Sequence, residues 1–323
     1  MPAREGLVGR TRRWLLLDGR RLVVTATLLV GIGLVLGPIG HTVAGATGDG
    51  LTGTHTLSSL LSTQLSGVFL LVSIVVSINS LFVSNEQQPL GQQLDRIQEV
   101  GAFRRELEST TDKAISPTEP ARFLSVLTQT VLTQVQALQD DLADADADLQ
   151  ADVTRFLEGV TEQTREVSDR LSAANTPFGI VRATMEYDYG RMSHDLRQIR
   201  TDYGDDIPES ARETIETLLD LLEYFATARE YFKTLYFARE FAALSKHLLY
   251  VAIPVIVLLA FFLLHLDDLP NTHLLVLSVH TVGYAPFALL AAYVGRVTTV
   301  SQRTGAAGQF VLDHSTDGPS LDD

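Results

Sequence analysis

Four stretches without a single Asp, Glu, Lys or Arg constrain this chain more than anything else in it: residues 22–40, 66–83, 248–266 and 274–294. Each is close to the length that crosses a hydrocarbon core of roughly 30 Å at about 1.5 Å per residue. In lipid a backbone amide must find its partner within its own segment, so apolar runs of this length are helices. The expected fold class is an all-α integral membrane protein with four transmembrane helices and a large cytoplasmic antiparallel helical bundle inserted between the second and third.

Arginines set the expected orientation. Six of them, including Arg12, Arg13, Arg20 and Arg21, precede the first run. That run is too long for a signal peptide and lacks a small-residue cleavage pattern, so it reads as a retained helix. Segments 41–65 and 267–273 carry no Lys or Arg, whereas Arg96, Arg104 and Arg105 follow the second run and Arg296 and Arg303 the fourth. Positive residues near membrane ends stay inside, which puts both termini in the cytoplasm of a multi-pass cell-membrane protein. The expected parts are a basic N-terminal segment (1–21), two spans with an outer loop (22–84), an acidic cytoplasmic helical domain (85–247), a hairpin of two spans (248–296) and a disordered tail (297–323).

Acids outnumber bases 39 to 25, for a net charge of −14, and the basic residues are 22 Arg against 3 Lys. This resembles proteins of salt-loving archaea, whose carboxylate-rich surfaces stay soluble where salt screens electrostatics. Residues 85–247 hold 30 acids and 17 bases, hence −13. So acidic a domain lacks the basic footprint of a nucleic-acid binder. The absence of cysteine excludes disulfides and thiolate chemistry. No phosphate loop, nucleophile elbow or HExxH motif occurs, so neither an enzyme nor a cofactor is expected.

Within 85–247 the spacing predicts a helix over 91–112 and a new start at Ser116-Pro117. A narrow seam from Leu124 through Leu127, Val131, Val135, Leu138, Leu142, Leu149, Val153, Phe156, Val160 and Val167 to Leu171 then predicts one helix of about 55 residues. Such a seam requires a partner helix, in this chain or another subunit. The run Asp140, Asp141, Asp144, Asp146, Asp148 is expected as a solvated mid-helix face, since it lacks the glycine and glutamate of a calcium loop. Val181 to Tyr203 reads as one helix ended by Gly204 to Pro208. From Glu209 no Gly or Pro intervenes until Pro254, so a single helix should run into the third span.

Several residues carry candidate chemistry. Ser66, Ser73, Ser77, Ser80 and Ser84, with Asn79 beside them, put a hydroxyl-rich face along the second span. This face either lets helices pack closely or lines a polar path among several copies; Val75 and Val76 are expected to face lipid. Gly33 and Gly37 form a GxxxG packing motif. His280 is an intramembrane polar group, structural or functional. His265, Asp267, Asp268 and His273 in the outer turn are ligand types for a divalent ion but match no metal motif.

The topology resembles that of bestrophin-type anion channels and flagellar stator subunits, without a motif that transfers residue by residue. The expected function is an oligomeric channel or transport protein with a serine-lined second span and a cytoplasmic regulatory bundle. The alternative is a membrane-anchored interaction or signalling scaffold without conduction. The expected partners are the lipid bilayer, further copies of the chain through the second span and the long cytoplasmic helices, and a cytoplasmic protein, with no nucleic acid.

Overall fold

The computed structural model describes residues 9, 11, 14–47, 54–86, 89–111, 115–143, 145–185, 187–268 and 272–303, with 17–18, 39–47, 54, 81–86, 205 and 303 described by backbone alone. Of the tail expected to be disordered from 297, residues 297–303 are instead helical and 304–323 lie outside the described residues, as do parts of the two loops expected to face outward. Among the described residues the chain is all-helical. After a π-helical turn Trp14–Asp18 come α1 (Arg21–Thr47), α2 (Thr54–Glu86), α3 (Leu90–Thr110), α4 (Pro120–Asp141), α5 (Ala147–Ser172), α6 (Pro177–Thr184), α7 (Tyr189–Tyr203), α8 (Glu209–Leu264), α9 (His273–Gly283) and α10 (Ala285–Arg303). Stretches in α1, α2, α8 and the α9–α10 pair are long and apolar enough to cross a membrane. The chain divides into two compact units, residues 1–88 with 237–301, and residues 89–236 with 302–323.

In the first unit, buried apolar side chains of α2 (Leu61, Val68, Leu71, Val75), α8 (Leu244, Leu248, Ala252, Val255, Leu259), α9 (Val279) and α10 (Ala285, Leu289) meet in two adjoining clusters. The fourth run departs from its expected single helix. It turns at Tyr284, and Pro286 then sits in the first turn of α10, where its missing N–H breaks no helical bond.

In the second unit the expected 55-residue helix is two. α4 ends at Asp141, α5 starts at Ala147, and α5 packs back along α4. Asp140 and Asp141 end α4 while Asp146 and Asp148 open α5, so these four lie at the reversal rather than mid-helix; Asp144 is outside the described residues. Asp146 is the N-cap of α5, its carboxylate accepting from the Asp148 amide at 3.3 Å. Gln150 Nε2 donates to the carbonyls of Leu142 (2.9 Å) and Ala143 (2.6 Å), satisfying the open end of α4. Aspartate competes with the helical backbone and favours caps. Once the chain turns there, the seam of α4 (Leu124, Leu127, Val131, Val135, Leu138) is buried with that of α5 (Leu149, Val153, Leu157, Val160, Val167, Leu171), so the partner helix belongs to the same chain.

The helix expected from Ser116 begins instead at Pro120, after Glu119. Ser116 ties the connection down, its amide and hydroxyl donating to Glu108 Oε1 at 2.7 and 2.8 Å while Arg104 Nε donates to its Oγ at 3.0 Å. These bonds hold the Glu108 carboxyl below its usual range. The helix read from Val181 to Tyr203 is interrupted: α6 stops at Thr184 and Asp188 caps α7, accepting from the Arg191 amide at 3.2 Å. Tyr187 fills the gap between them, buried against Phe225 and 3.1 Å from Thr164 Oγ1, and burial pushes its phenol up to about 12. Gly204, at φ +39°, closes α7 in a conformation that favours glycine.

Candidate functional site

α2 carries polar residues on two opposite faces. At about 100° per residue, Ser66, Ser73, Ser77 and Ser80 fall within an arc of about 60°. Leu57, Leu61, Gln64, Val68, Leu71 and Val75, all buried, centre on the opposite side. The four serines are exposed and Asn79 is half-buried; the Ser84 side chain lies outside the described residues. Ser73 Oγ donates to the Phe69 carbonyl and Ser77 Oγ to the Ser73 carbonyl, each at 2.9 Å. Each oxygen keeps its acceptor capacity towards the outside. Phe69, Leu70, Ile74 and Val76 are exposed around this stripe. Val75, expected to face lipid, is instead packed with Leu71, Leu248, Leu289 and Tyr293, because it lies diametrically across the helix from the serines.

The inner face of α2 holds a residue that periodicity alone passes over. Gln64 sits on the apolar seam and joins His280: His280 Nδ1 and Gln64 Oε1 are 2.9 Å apart, and Gln64 Nε2 donates to the His280 carbonyl at 3.1 Å. Since the amide oxygen can only accept, Nδ1 carries the proton. His280 Nε2 is then a buried acceptor without a hydrogen-bond partner. Gly283 makes room for this pair, as a Cβ there would lie 2.8 Å from Gln64 Oε1. The signal in the sequence was a glutamine at a buried register position, three residues after Leu61 and four before Val68.

Gly33 and Gly37 face α9, where a Cβ on either would lie 3.4 Å from Thr281 or 3.5 Å from Leu277. Towards one end of the unit, α1, α8 and α10 bring charges together. Arg21 Nη1 donates to the Ala292 carbonyl at 3.0 Å, its Nε is 3.9 Å from Glu240 Oε2, and its guanidinium lies over the Tyr293 ring at 5.8 Å. Tyr293 Oη is 2.9 Å from His247 Nδ1, and Arg296 Nη2 donates to the Gly19 carbonyl at 2.7 Å. Arg21 and Arg296 read from sequence as markers of orientation; here Arg296 is buried, Arg21 is half-buried, and both tie elements of the unit together.

The outer-turn residues do not converge. His265 stacks on Phe261 with its Nδ1 3.0 Å from that residue's carbonyl, Asp267 and Asp268 are exposed, and among the described residues no three His, Cys, Asp or Glu side chains come together as a metal site. In the second unit, a groove of about 480 Å³ between α5 and α7 is lined by Asp152, Arg155, Asp188, Arg191 and Asp195. Its charges are largely paired internally: Arg155 with Asp152 at 3.0 Å, Arg191 with Asp195 at 3.8 Å. Tyr203 donates to Asp152 at 2.8 Å, which pushes its phenol up to about 12.

Comparison with curated proteins and with solved structures finds no match, so the topological resemblance to known channels and stators carries no argument. The sequence itself does place the chain: over residues 3–322 it matches a family of unknown function (DUF7972), and it belongs to that family.

Proposed function

We propose that this is a multi-pass membrane protein, with its termini and its second unit in the cytoplasm, that assembles into an oligomer around α2 and passes a small polar solute or ion between copies. One observation carries this reading: the stripe Ser66, Ser73, Ser77, Ser80 faces outward, opposite the packed seam of its own helix. A helix surrounded only by lipid gains nothing from a line of hydroxyls, whereas helices around an axis use them to approach closely and to solvate a passing solute. The second unit, a closed helical bundle sharing α8 with the first, is the regulatory part of this reading. The acidic surface suits a high-salt cytoplasm.

A second reading rests on a different detail of the same stripe. Ser73 and Ser77 already spend their protons on backbone carbonyls one turn back. A dry, close-packed contact between copies is therefore satisfied without water, and the protein is then an assembled scaffold that conducts nothing.

The chain has no cysteine, so single cysteines at Ser73, Ser77 and Ser80 can be tested in the membrane with a charged thiol reagent, with Val76 as the lipid-facing control and Val75 as the buried one. Modification at the serine positions alone supports the polar path. Protection at all five positions removes it and leaves the scaffold.

A further inference from the structure

α3, the helix that follows α2 in sequence, has an apolar stripe that its own chain leaves uncovered. Leu90, Leu94 and Ile97 are 88%, 54% and 68% exposed, and Val100 is exposed beside them. The buried residue of this 21-residue helix is Leu107, in its last turn. Residues 90–101 therefore form about three turns of helix with no core beneath them and with Gly91 and Gly101 inside. An isolated helix of that length is marginal in water, and glycine weakens it further. Something must cover the stripe for the segment to hold its helix.

We infer that the occupant is the same segment of a second copy of this chain, α3 paired with α3 along Leu90, Leu94 and Ile97. The spacing of the stripe is four, three, then four to Gly101, the seam of two helices wound together. At about 100° per residue the flanking positions are Gln93 and Gln98, both uncharged, while Asp95, Arg96 and Glu99 point more than about 100° away from the stripe. Two copies of a chain carrying −14 repel over most of their surface. Along this seam they place no like charges opposite one another. The same neutral flanks argue against a lipid surface as the occupant, because an in-plane amphipathic helix holds anionic headgroups with Lys and Arg beside its apolar face. Copies inserted in one membrane share an orientation, and a two-fold axis along the membrane normal relates identical faces of two copies, the parallel pairing that this seam requires. Two heptads are too short to associate alone, and the pairing rests on the proposed assembly through α2.

Disulfide formation in the full-length, otherwise cysteine-free chain, oxidised in its native membrane at high salt, tests this. Single cysteines replace Leu94 and Ile97 on the seam, Arg96 and Glu99 on the outer face, and Ser73 on α2. All are exposed positions, so the core is untouched. The expected result is a cross-linked dimer at positions 94 and 97 at least fivefold above positions 96 and 99. A dimer at position 73 with no excess at 94 and 97 overturns the α3 pairing while leaving the α2 assembly standing; no dimer anywhere overturns both. Nitroxides at 94 and 97 that collide with a lipid-soluble quencher as readily as one on Val76 assign the stripe to the bilayer surface, which also overturns the pairing. As a second measurement, Leu94→Asp with Ile97→Asp should lower the oligomeric fraction in mild detergent at least fivefold, and an unchanged fraction counts against the seam.

Discussion

Gly283→Ala should destabilise the apolar unit through one neighbour only, and that neighbour can be removed. A Cβ at this position would lie 2.8 Å from Gln64 Oε1, 3.0 Å from Cδ and 3.1 Å from Nε2, against an ordinary contact of 3.4 to 4 Å. The amide must therefore move by about half an ångström or more, breaking the 2.9 Å and 3.1 Å bonds that join it to His280. Hydrogen bonds between helices in a bilayer are each worth about 0.6–2 kcal/mol. Leaving the His280 N–H buried and unpaired adds to the loss. The single substitution should cost about 2–4 kcal/mol, and Gln64→Ala about 1–3 kcal/mol. In the Gln64→Ala background the same methyl enters vacated space, and alanine in place of helical glycine gains about 0.5–1 kcal/mol. Gly283→Ala should then be neutral or stabilising, a coupling of about 2 kcal/mol or more in a double-mutant cycle. Unfolding of the purified protein in mild detergent by added dodecyl sulfate, followed by circular dichroism, gives the four stabilities. Equal destabilisation in both backgrounds would refute the reasoning, since the clash would then lie elsewhere.

Three further outcomes test the second unit. Asp146→Ala removes the cap at the α4–α5 reversal and should lower stability by about 1 kcal/mol, while Asp146→Asn, which can still accept from the Asp148 amide, should lose much less; denaturant midpoints compare the two. The Tyr187 phenol is raised from 10.0 to about 12, so its contribution is complete below pH 10 and disappears as pH rises to about 12, on the order of 3 kcal/mol. Tyr187→Phe should flatten stability between pH 10 and 12, and an unchanged alkaline slope contradicts the assignment. The Glu108 carboxyl is lowered from 4.5, so its contribution is present above that pH and is lost as pH falls through the folded value; Glu108→Gln should abolish that part of the acid dependence, read from unfolding midpoints between pH 5 and 3.

The parts legible in the sequence were those written in long uniform patterns. Uncharged runs of about 20 residues and the Gly- and Pro-free stretch after Glu209 correspond directly to α1, α2, α8 and the α9–α10 pair. Misreadings came where one periodicity continued through a break. Leu138 and Leu149 lie in phase with a single long helix, yet the reversal between α4 and α5 buries both faces within the chain, and only the capping chemistry of Asp146 and Gln150 marked the place. The steps from Val181 through Met185 to Tyr189 likewise run on through a break and pass over Tyr187, whose burial between two helices depends on Thr164 and Phe225, distant in sequence. The Gln64–His280 pair was half visible. Histidine stood out as ionisable, whereas glutamine carries no charge and registers only once its face of α2 is known to be buried.

Polar groups in the apolar unit fall into two kinds by what satisfies them, and the division bears on what the helices are for. Gln64 with His280, Arg21 with Glu240 and the Ala292 carbonyl, and Arg296 with the Gly19 carbonyl are buried or half-buried contacts that join one helix or turn to another. Each is costly to break because its partner would be left in an apolar interior, so these contacts fix which helices pack and in which register. Ser73 and Ser77 do the opposite: each bonds within its own helix, contributes nothing to joining elements of the chain, and faces outward. Alanine or leucine would serve a lipid-facing surface at lower cost, since a hydroxyl in hydrocarbon loses its remaining hydrogen bonds. Four serines within about 60° of one helix therefore point to contacts with something other than lipid, and α3, with Leu90, Leu94 and Ile97 exposed, presents a second uncovered face of different chemistry. Hydroxyls suit close packing where the surroundings are hydrocarbon and leucines suit it where they are water, so each face has the chemistry that its own proposed contact needs.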